Sequence, residues 1–159
     1  DTTLLLRRAL DYYHVRDFEN AIADMNDYLQ RDPHSQVGLM LRAQCRFAQL
    51  EVSQTTSSAS DLRLGYLMVL QDYNRALEEH PESPYLLYNT ACLMVQLSDY
   101  AGAIRMFDQA LTLDSKFSDA YYSLGVSIIM AGDNTQGITA PKKVGELALY
   151  TASHLIKHY

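Results

Sequence analysis

Apolar and small residues recur along the chain in steps of four then three. Leu5, Ala9 and Tyr12 begin the pattern, which returns as Leu39, Ala43 and Arg46, as Leu87, Ala91 and Met94, and as Tyr121, Gly125 and Ile128. Steps of four and three keep side chains on one face of a helix, so each set predicts an amphipathic helix and none predicts a strand. A second amphipathic run follows three of these helices: Asp17 to Leu29 and Pro33, Ala76-Leu77 to Pro81, and Asp99 to Leu111 and Ser115. Each unit therefore reads as two antiparallel helices.

The units repeat. Leu5 to Leu39, Leu87 to Tyr121 and Pro81 to Ser115 are all steps of 34 residues, whereas Pro33 to Pro81 is 48. The 14 extra residues point to the Ser/Thr-rich stretch from Glu51 to Ser60, which has no helical periodicity and reads as a loop inserted in the second repeat. Small residues on first helices (Ala9, Ala43, Ala91, Gly125) face small residues on second helices (Ala21, Ala103, Gly137), where a large side chain would hold the backbones apart. Turns are expected at Arg16-Asp17, Ser98-Asp99 and Gly132-Asp133, with a short polar side chain capping backbone amides or glycine taking positive φ. Pro33, Pro81 and Pro84 break helices between hairpins, and Pro141 breaks the fourth unit near Thr139, since a mid-helix proline costs about 3 kcal/mol.

These residues resemble the tetratricopeptide repeat family over about residues 2–145, most closely in the third unit (Leu87, Ala91, Tyr100, Ala103, Ile104, Phe107, Ala110, Leu111). The first unit matches well too, through Leu5, Ala9, Tyr12, Phe18, Ala21, Ile22, Leu29 and Pro33. Arg8 and Arg42 stand where the family favours leucine, Tyr28 where it favours alanine, and Ser115 where it favours proline. The segment from Lys142 to Tyr159 looks like the closing part of a group of bacterial members, a motif leading into a last short helix that would cover the final apolar face. The resemblance implies an all-α chain, an α-solenoid wound as a right-handed superhelix of about four hairpins. Its repeats would lie at about 2–34, 35–82 with the inserted loop 51–60, 83–116 and 117–148, with a capping helix at about 149–158, all in a single domain 1–159.

In that family first helices line a concave groove. Carried over, the groove would present Leu6, Leu10 and Tyr13, then Met40, Gln44 and Phe47, then Tyr85, Tyr88, Asn89 and Cys92, then Tyr122, Val126 and Ile129. Tyrosine offers a large contact area at low rotamer cost and a hydroxyl, which suits peptide recognition; the same residues could equally pack against neighbouring helices. Some members grip a peptide's C-terminal carboxylate with lysine, arginine and asparagine, of which only Asn89 stands in a matching place here.

Composition narrows the partner. The formal net charge of -6 argues against nucleic acid, and no apolar run is long enough to insert in a membrane. Arg7, Arg42 and Arg46 form the one local basic group and read as a solvated helix face paired with nearby acids. Catalytic and nucleotide-binding motifs are absent, so no enzyme activity and no cofactor are expected. Cys45 and Cys92 are 47 residues apart with no ligand pattern and read as buried thiols, and no metal site is expected. His154 and His158 share a helix face but lack a third ligand, and His14, His34 and His80 sit near helix ends, where they favour the last carbonyls. The first residue is Asp1, which reads as a processed protein or an excised piece, and compartment is not legible. Two functions follow: a scaffold binding a protein or peptide segment in its groove, or a structural, self-associating end of a longer array, suggested by Leu4 and Leu6 on an uncovered first helix. The second makes a homo-oligomer possible.

Overall fold

The computed structural model describes residues 1–135, with side chains described as far as Gly132. Those residues form seven helices: α1 (Thr2–His14), α2 (Phe18–Arg31), α3 (Gln36–Val52), α4 (Ala59–Glu79), α5 (Pro84–Gln96), α6 (Tyr100–Leu113) and α7 (Ser118–Thr135). The expected all-α architecture of helical hairpins is present: α1 pairs with α2, α3 with α4, and α5 with α6. The chain divides into two compact units, Asp1–Pro81 with α1 to α4 and Glu82–Tyr159 with α5 to α7. Gly137, Pro141, the segment from Lys142 and the expected capping helix lie outside the described residues, as do His154 and His158.

Helix contact in each unit rests on the small residues. Ala9, Ala21, Ala43, Ala91 and Ala103 are all fully buried. Met25, Leu39, Cys45 and Val69 fill the interior of the first unit, and Phe107 forms the centre of the second with Leu124 and Ile128. Burying a side chain of this size contributes about 1.5–3 kcal/mol, so these few positions hold the helices together more than any surface pair does.

The turns of the first and third hairpins close identically. Asp17 N–H donates to the Tyr12 carbonyl at 2.8 Å and Arg16 N–H to that of Tyr13 at 3.0 Å; Asp99 and Ser98 donate likewise to Met94 and Val95 at 2.9 and 3.0 Å. Such closure needs one residue in the left-handed region, and Arg16 (φ 64°) and Ser98 (φ 59°) take it. The next residue caps the second helix: the Asp17 carboxylate accepts from Asn20 N–H, and that of Asp99 from Gly102 N–H at 3.0 Å. The turn expected at Gly132-Asp133 does not form, because α7 continues to Thr135. A helical glycine costs only about 1 kcal/mol, too little to stop a helix unaided. Pro84 starts α5 and does not merely end its predecessor, since its missing N–H is no loss at the first helical position.

A loop is present where expected, narrowed from 51–60 to 53–58, but most of the 14 extra residues lengthen the helices on either side of it. Helices α1 and α2 have 13 and 14 residues, α3 and α4 have 17 and 21. Relative to the first hairpin, α3 gains four residues, α4 gains seven, and the turn lengthens from 15–17 to 53–58, which accounts for all 14. Ser58 stops the loop by capping α4 through its Oγ, which accepts from Asp61 N–H at 3.1 Å. The rings of Phe47 and Tyr66 lie 5.9 Å apart at the base of the extension, and beyond them Gly65 lets α4 approach Leu50 so closely that an added Cβ would collide with the Leu50 side chain.

Arg8 and Arg42, the departures from the family pattern, have partners on the second helix of their own hairpins. The Arg8 guanidinium donates to both oxygens of Asp24 at 2.8 and 2.6 Å, and Arg42 does the same to Asp72 at 2.9 and 2.6 Å. Arg46 adds a third bond to Asp72 at 2.9 Å. Arg42 and Arg46 are therefore not a solvated face: their side chains are 15% and 19% exposed around an Asp72 that is 3% exposed. Burial lowers the Arg46 pKa, opposed by Asp72, while the Asp24 hydrogen bond raises that of Arg8. The third hairpin has Thr90 and Met106 at the corresponding places and needs no ion pair.

Tyr28 is accommodated by Gly38. A Cβ at Gly38 would lie 2.8 Å from Cδ1 and Cε1 of Tyr28 and 3.0 Å from Cδ2 of Leu29. In the second unit the equivalent positions are Ala110 and Ala120, both fully buried, so the two units fill one space with an aromatic–glycine or an alanine–alanine pair.

Gly38→Ala will destabilise the protein by about 1–3 kcal/mol despite its better helix propensity, and adding Tyr28→Ala will recover part of that loss, measured by urea denaturation as a double-mutant cycle. Asp72→Ala, which leaves two largely buried guanidinium groups unpaired, will cost about 3–5 kcal/mol in the same assay. Asp24→Ala will cost far less, because the Arg8 side chain is 59% exposed and water takes over its solvation.

Candidate functional site

The expected groove residues fall on first helices, three or four to a helix, and each unit is described by itself. In the first unit α1 and α3 are neighbours. Leu10 on α1 is exposed at 44%, while Leu6, Tyr13, Met40, Gln44 and Phe47 are half-buried. Tyr13 and Phe47 occupy equivalent positions and make equivalent contacts: Tyr13 packs on Phe18 at 5.8 Å as Phe47 packs on Tyr66. Both rings thus pack within their own hairpin, which leaves Leu10 as the open apolar contact of this unit's set.

In the second unit α5 and α7 are neighbours. Tyr85 is 53% exposed, Tyr122 67% and Ile129 48%, whereas Tyr88, Asn89, Cys92 and Val126 are half-buried. Tyr88 is largely a packing residue, its ring 4.7 Å from Phe117 and 5.8 Å from Phe107. Its hydroxyl joins the Cys92 thiol and the Ser123 hydroxyl in a hydrogen-bonded cluster; Ser123 carries no signal in the sequence, because its role appears only when α7 is set beside α5. Burial pushes the Tyr88 phenol up to about 12 and also raises the Cys92 thiol. Asn89 is the one buried side-chain donor without a partner among the described residues: its Nδ2 makes no hydrogen bond. An unmet amide donor of this kind costs about 1–3 kcal/mol, and an acceptor supplied by a ligand would recover it.

A shallow depression of about 480 Å³ lies on α1, rimmed by Arg7, Arg8 and Arg31 but also by Asp1 and Asp11. Since Arg8 is engaged by Asp24, the remaining charges balance and the depression does not select an anion. Among the described residues no group of His, Cys, Asp and Glu could hold a metal ion, and no helix is long and apolar enough to cross a membrane.

The sequence profile of the tetratricopeptide repeat matches residues 88–140, which take in most of α5 and all of α6 and α7. Over those residues, a third of the chain, the sequence is that of a tetratricopeptide repeat. The "Small glutamine-rich tetratricopeptide repeat-containing protein 2" of Mycosarcoma maydis is 31% identical over 78 residues, 49% of this chain but only 22% of that protein's length. Among solved structures, MamA superposes with a TM-score of 0.74 at 15% identity, covering 99% of this chain and 81% of its own. The thermophilic tetratricopeptide protein TTC0263 of Thermus thermophilus gives 0.69 at 16% identity, covering 98% and 82%. The first such domain of Spaghetti (RPAP3), bound to the HSP90 peptide SRMEEVD, gives 0.67 at 16%, covering 79% and 89%. At these identities the likeness is one of fold. Tetratricopeptide repeats are scaffold folds that mediate protein–protein interaction through a concave groove and are not catalytic.

Neither thiol is poised for chemistry. Burial raises Cys45 to about 11 and Cys92 above its ordinary value, so both stay protonated at neutral pH. In the native protein at about pH 7.5, iodoacetamide will label neither at an appreciable rate, and both will label in urea, as read by intact mass.

Proposed function

We propose that the chain is an interaction scaffold whose second unit binds an extended protein segment along α5 and α7. The observation that carries this reading is the exposed aromatic pair Tyr85 and Tyr122 on two neighbouring helices, 53% and 67% accessible. Large exposed aromatics are the residues that most often anchor partners, because they remove much apolar area from water for few frozen torsions. Ile129 extends the apolar surface, and the Asn89 amide adds a donor for a backbone carbonyl once its side chain turns outward. In the first unit Leu10 is the corresponding contact.

Charge defines the partner's chemistry. The chain carries -6, and no lysine or arginine stands among the groove positions of either unit. A partner segment that is apolar or basic therefore fits, whereas a peptide with an acidic terminus such as the one held by Spaghetti would meet no cation to grip it.

The test is a selection of random peptides about 16 residues long, displayed on phage against the immobilised chain, followed by fluorescence anisotropy of the enriched peptides. Enriched sequences will be apolar and basic, the Tyr85→Ala, Tyr122→Ala double variant will weaken them about tenfold or more, and SRMEEVD will not bind. No enrichment, or binding indifferent to the double variant while its circular dichroism is unchanged, overturns the assignment. Tyr88 is the wrong residue to remove: its contacts with Phe107 and Phe117 make Tyr88→Ala a core truncation that tests stability instead.

A further inference from the structure

The outer face of α4 differs from that of the other second helices. Leu64, Leu67 and Met68 are exposed there at 62%, 41% and 50%. At the places of Leu67 and Met68, α2 carries Glu19 and Asn20, and α6 carries Ala101 and Gly102, so the apolar stripe is peculiar to the lengthened hairpin. Its spacing is informative. Asp61, Leu64, Met68, Gln71 and Arg75 are all exposed and follow one another by three, four, three and four residues, the spacing of a seam that packs against another helix.

The seam has opposite charges at its two ends and Met68 at its middle, seven residues from each. Turning a second α4 about a two-fold axis through Met68 places Asp61 of one copy beside Arg75 of the other, at both ends. The same operation puts Leu64 across from Gln71 and Met68 across from its own counterpart. In a parallel arrangement Asp61 would meet Asp61 and Arg75 would meet Arg75, which like-charge repulsion disfavours. Local bonds leave both ends available: one Asp61 oxygen accepts from Ser58 Oγ at 2.7 Å, and Arg75 makes only a long 3.4 Å bond to the Pro33 carbonyl.

We propose that this face binds a second copy of the chain, α4 against α4 in antiparallel register, giving a two-fold dimer closed by two Asp61–Arg75 ion pairs. Two short seams make a small interface, so association will be weak and reversible. The dimer is independent of the peptide-binding reading, because α4 carries none of the proposed peptide contacts.

Sedimentation velocity up to about 0.5 mM, the range in which small interfaces associate, tests it. The wild type will shift toward a dimer as concentration rises, and Met68→Glu will weaken association about tenfold or more with unchanged circular dichroism. Asp61→Lys and Arg75→Glu will each weaken self-association. Mixed in equal amounts, with one partner fluorescently labelled, these two variants will form a heterodimer more readily than either forms a homodimer, because their mixed pair has one end Lys–Glu and the other Arg–Asp. A wild type that stays monomeric over the whole range overturns the proposal and leaves the stripe to a different partner. So does a dimer indifferent to Met68→Glu, which would use another face. Loss with Met68→Glu but no preference for the mixed pair would refute the antiparallel register.

Discussion

Close approach of two helices within a hairpin is the constraint on which the rest of the structure depends. Where Ala9 and Ala21, or Ala91 and Ala103, are fully buried, no side chain is available to set a wider separation, and every other position must adapt to the spacing that results. The adaptation differs between units. The second unit fills the adjoining space with Ala110 and Ala120, and the first with Tyr28 over Gly38, where the aromatic ring takes the volume that glycine gives up. Arg8 and Arg42 adapt too: a long side chain on the first helix is tolerable beside a close neighbour because Asp24 and Asp72 on that neighbour neutralise and orient it.

What was legible in the sequence was whatever repeats. The step of 34 residues from Leu87 to Tyr121 fixes register, and register fixes which residues face inward, so the alanines and the turns at Asp17 and Asp99 could be read without coordinates. What was not legible depends on pairs distant in sequence. Nothing near Arg42 announces Asp72, thirty residues on, as its partner, and a local reading therefore places it on a solvated face paired with nearby acids. The stretch 51–60 is a loop only over 53–58, and most of the 14 extra residues of this hairpin lengthen α3 and α4 instead. Most of the Ser/Thr residues stay in the turn, while the Leu50–Gly65 contact packs the added helical residues together, a pairing that no local pattern announces.

The groove residues show a limit of another kind. Placing a residue on the first helix is a matter of register, but whether it serves a ligand or the hairpin depends on what its side chain meets. Tyr13, Phe47 and Tyr88 are positioned on first helices like the exposed Tyr85 and Tyr122, yet each turns its ring onto a neighbouring aromatic. Aromatic residues at helical spacing are ambiguous for this reason: the apolar area that makes a good anchor for a partner also makes a good filler for a turn.

In the lengthened hairpin these constraints meet. A helix of 21 residues is about 31 Å long, and one of 14 residues about 21 Å, so α4 extends roughly 10 Å beyond the length that α2 needs to complete a hairpin. Selection for hairpin stability alone would keep the inward side of α4 apolar and its outward side polar, as it is on α2 with Glu19 and Asn20. Inward, Tyr66 and Val69 are buried as that requirement demands. Outward, Leu64, Leu67 and Met68 go beyond it, since an exposed leucine or methionine contributes nothing to the hairpin and adds to the risk of unwanted association. A stripe that is apolar without benefit to its own hairpin, and oppositely charged at its two ends, is better explained by a surface that the stripe meets than by the fold that carries it.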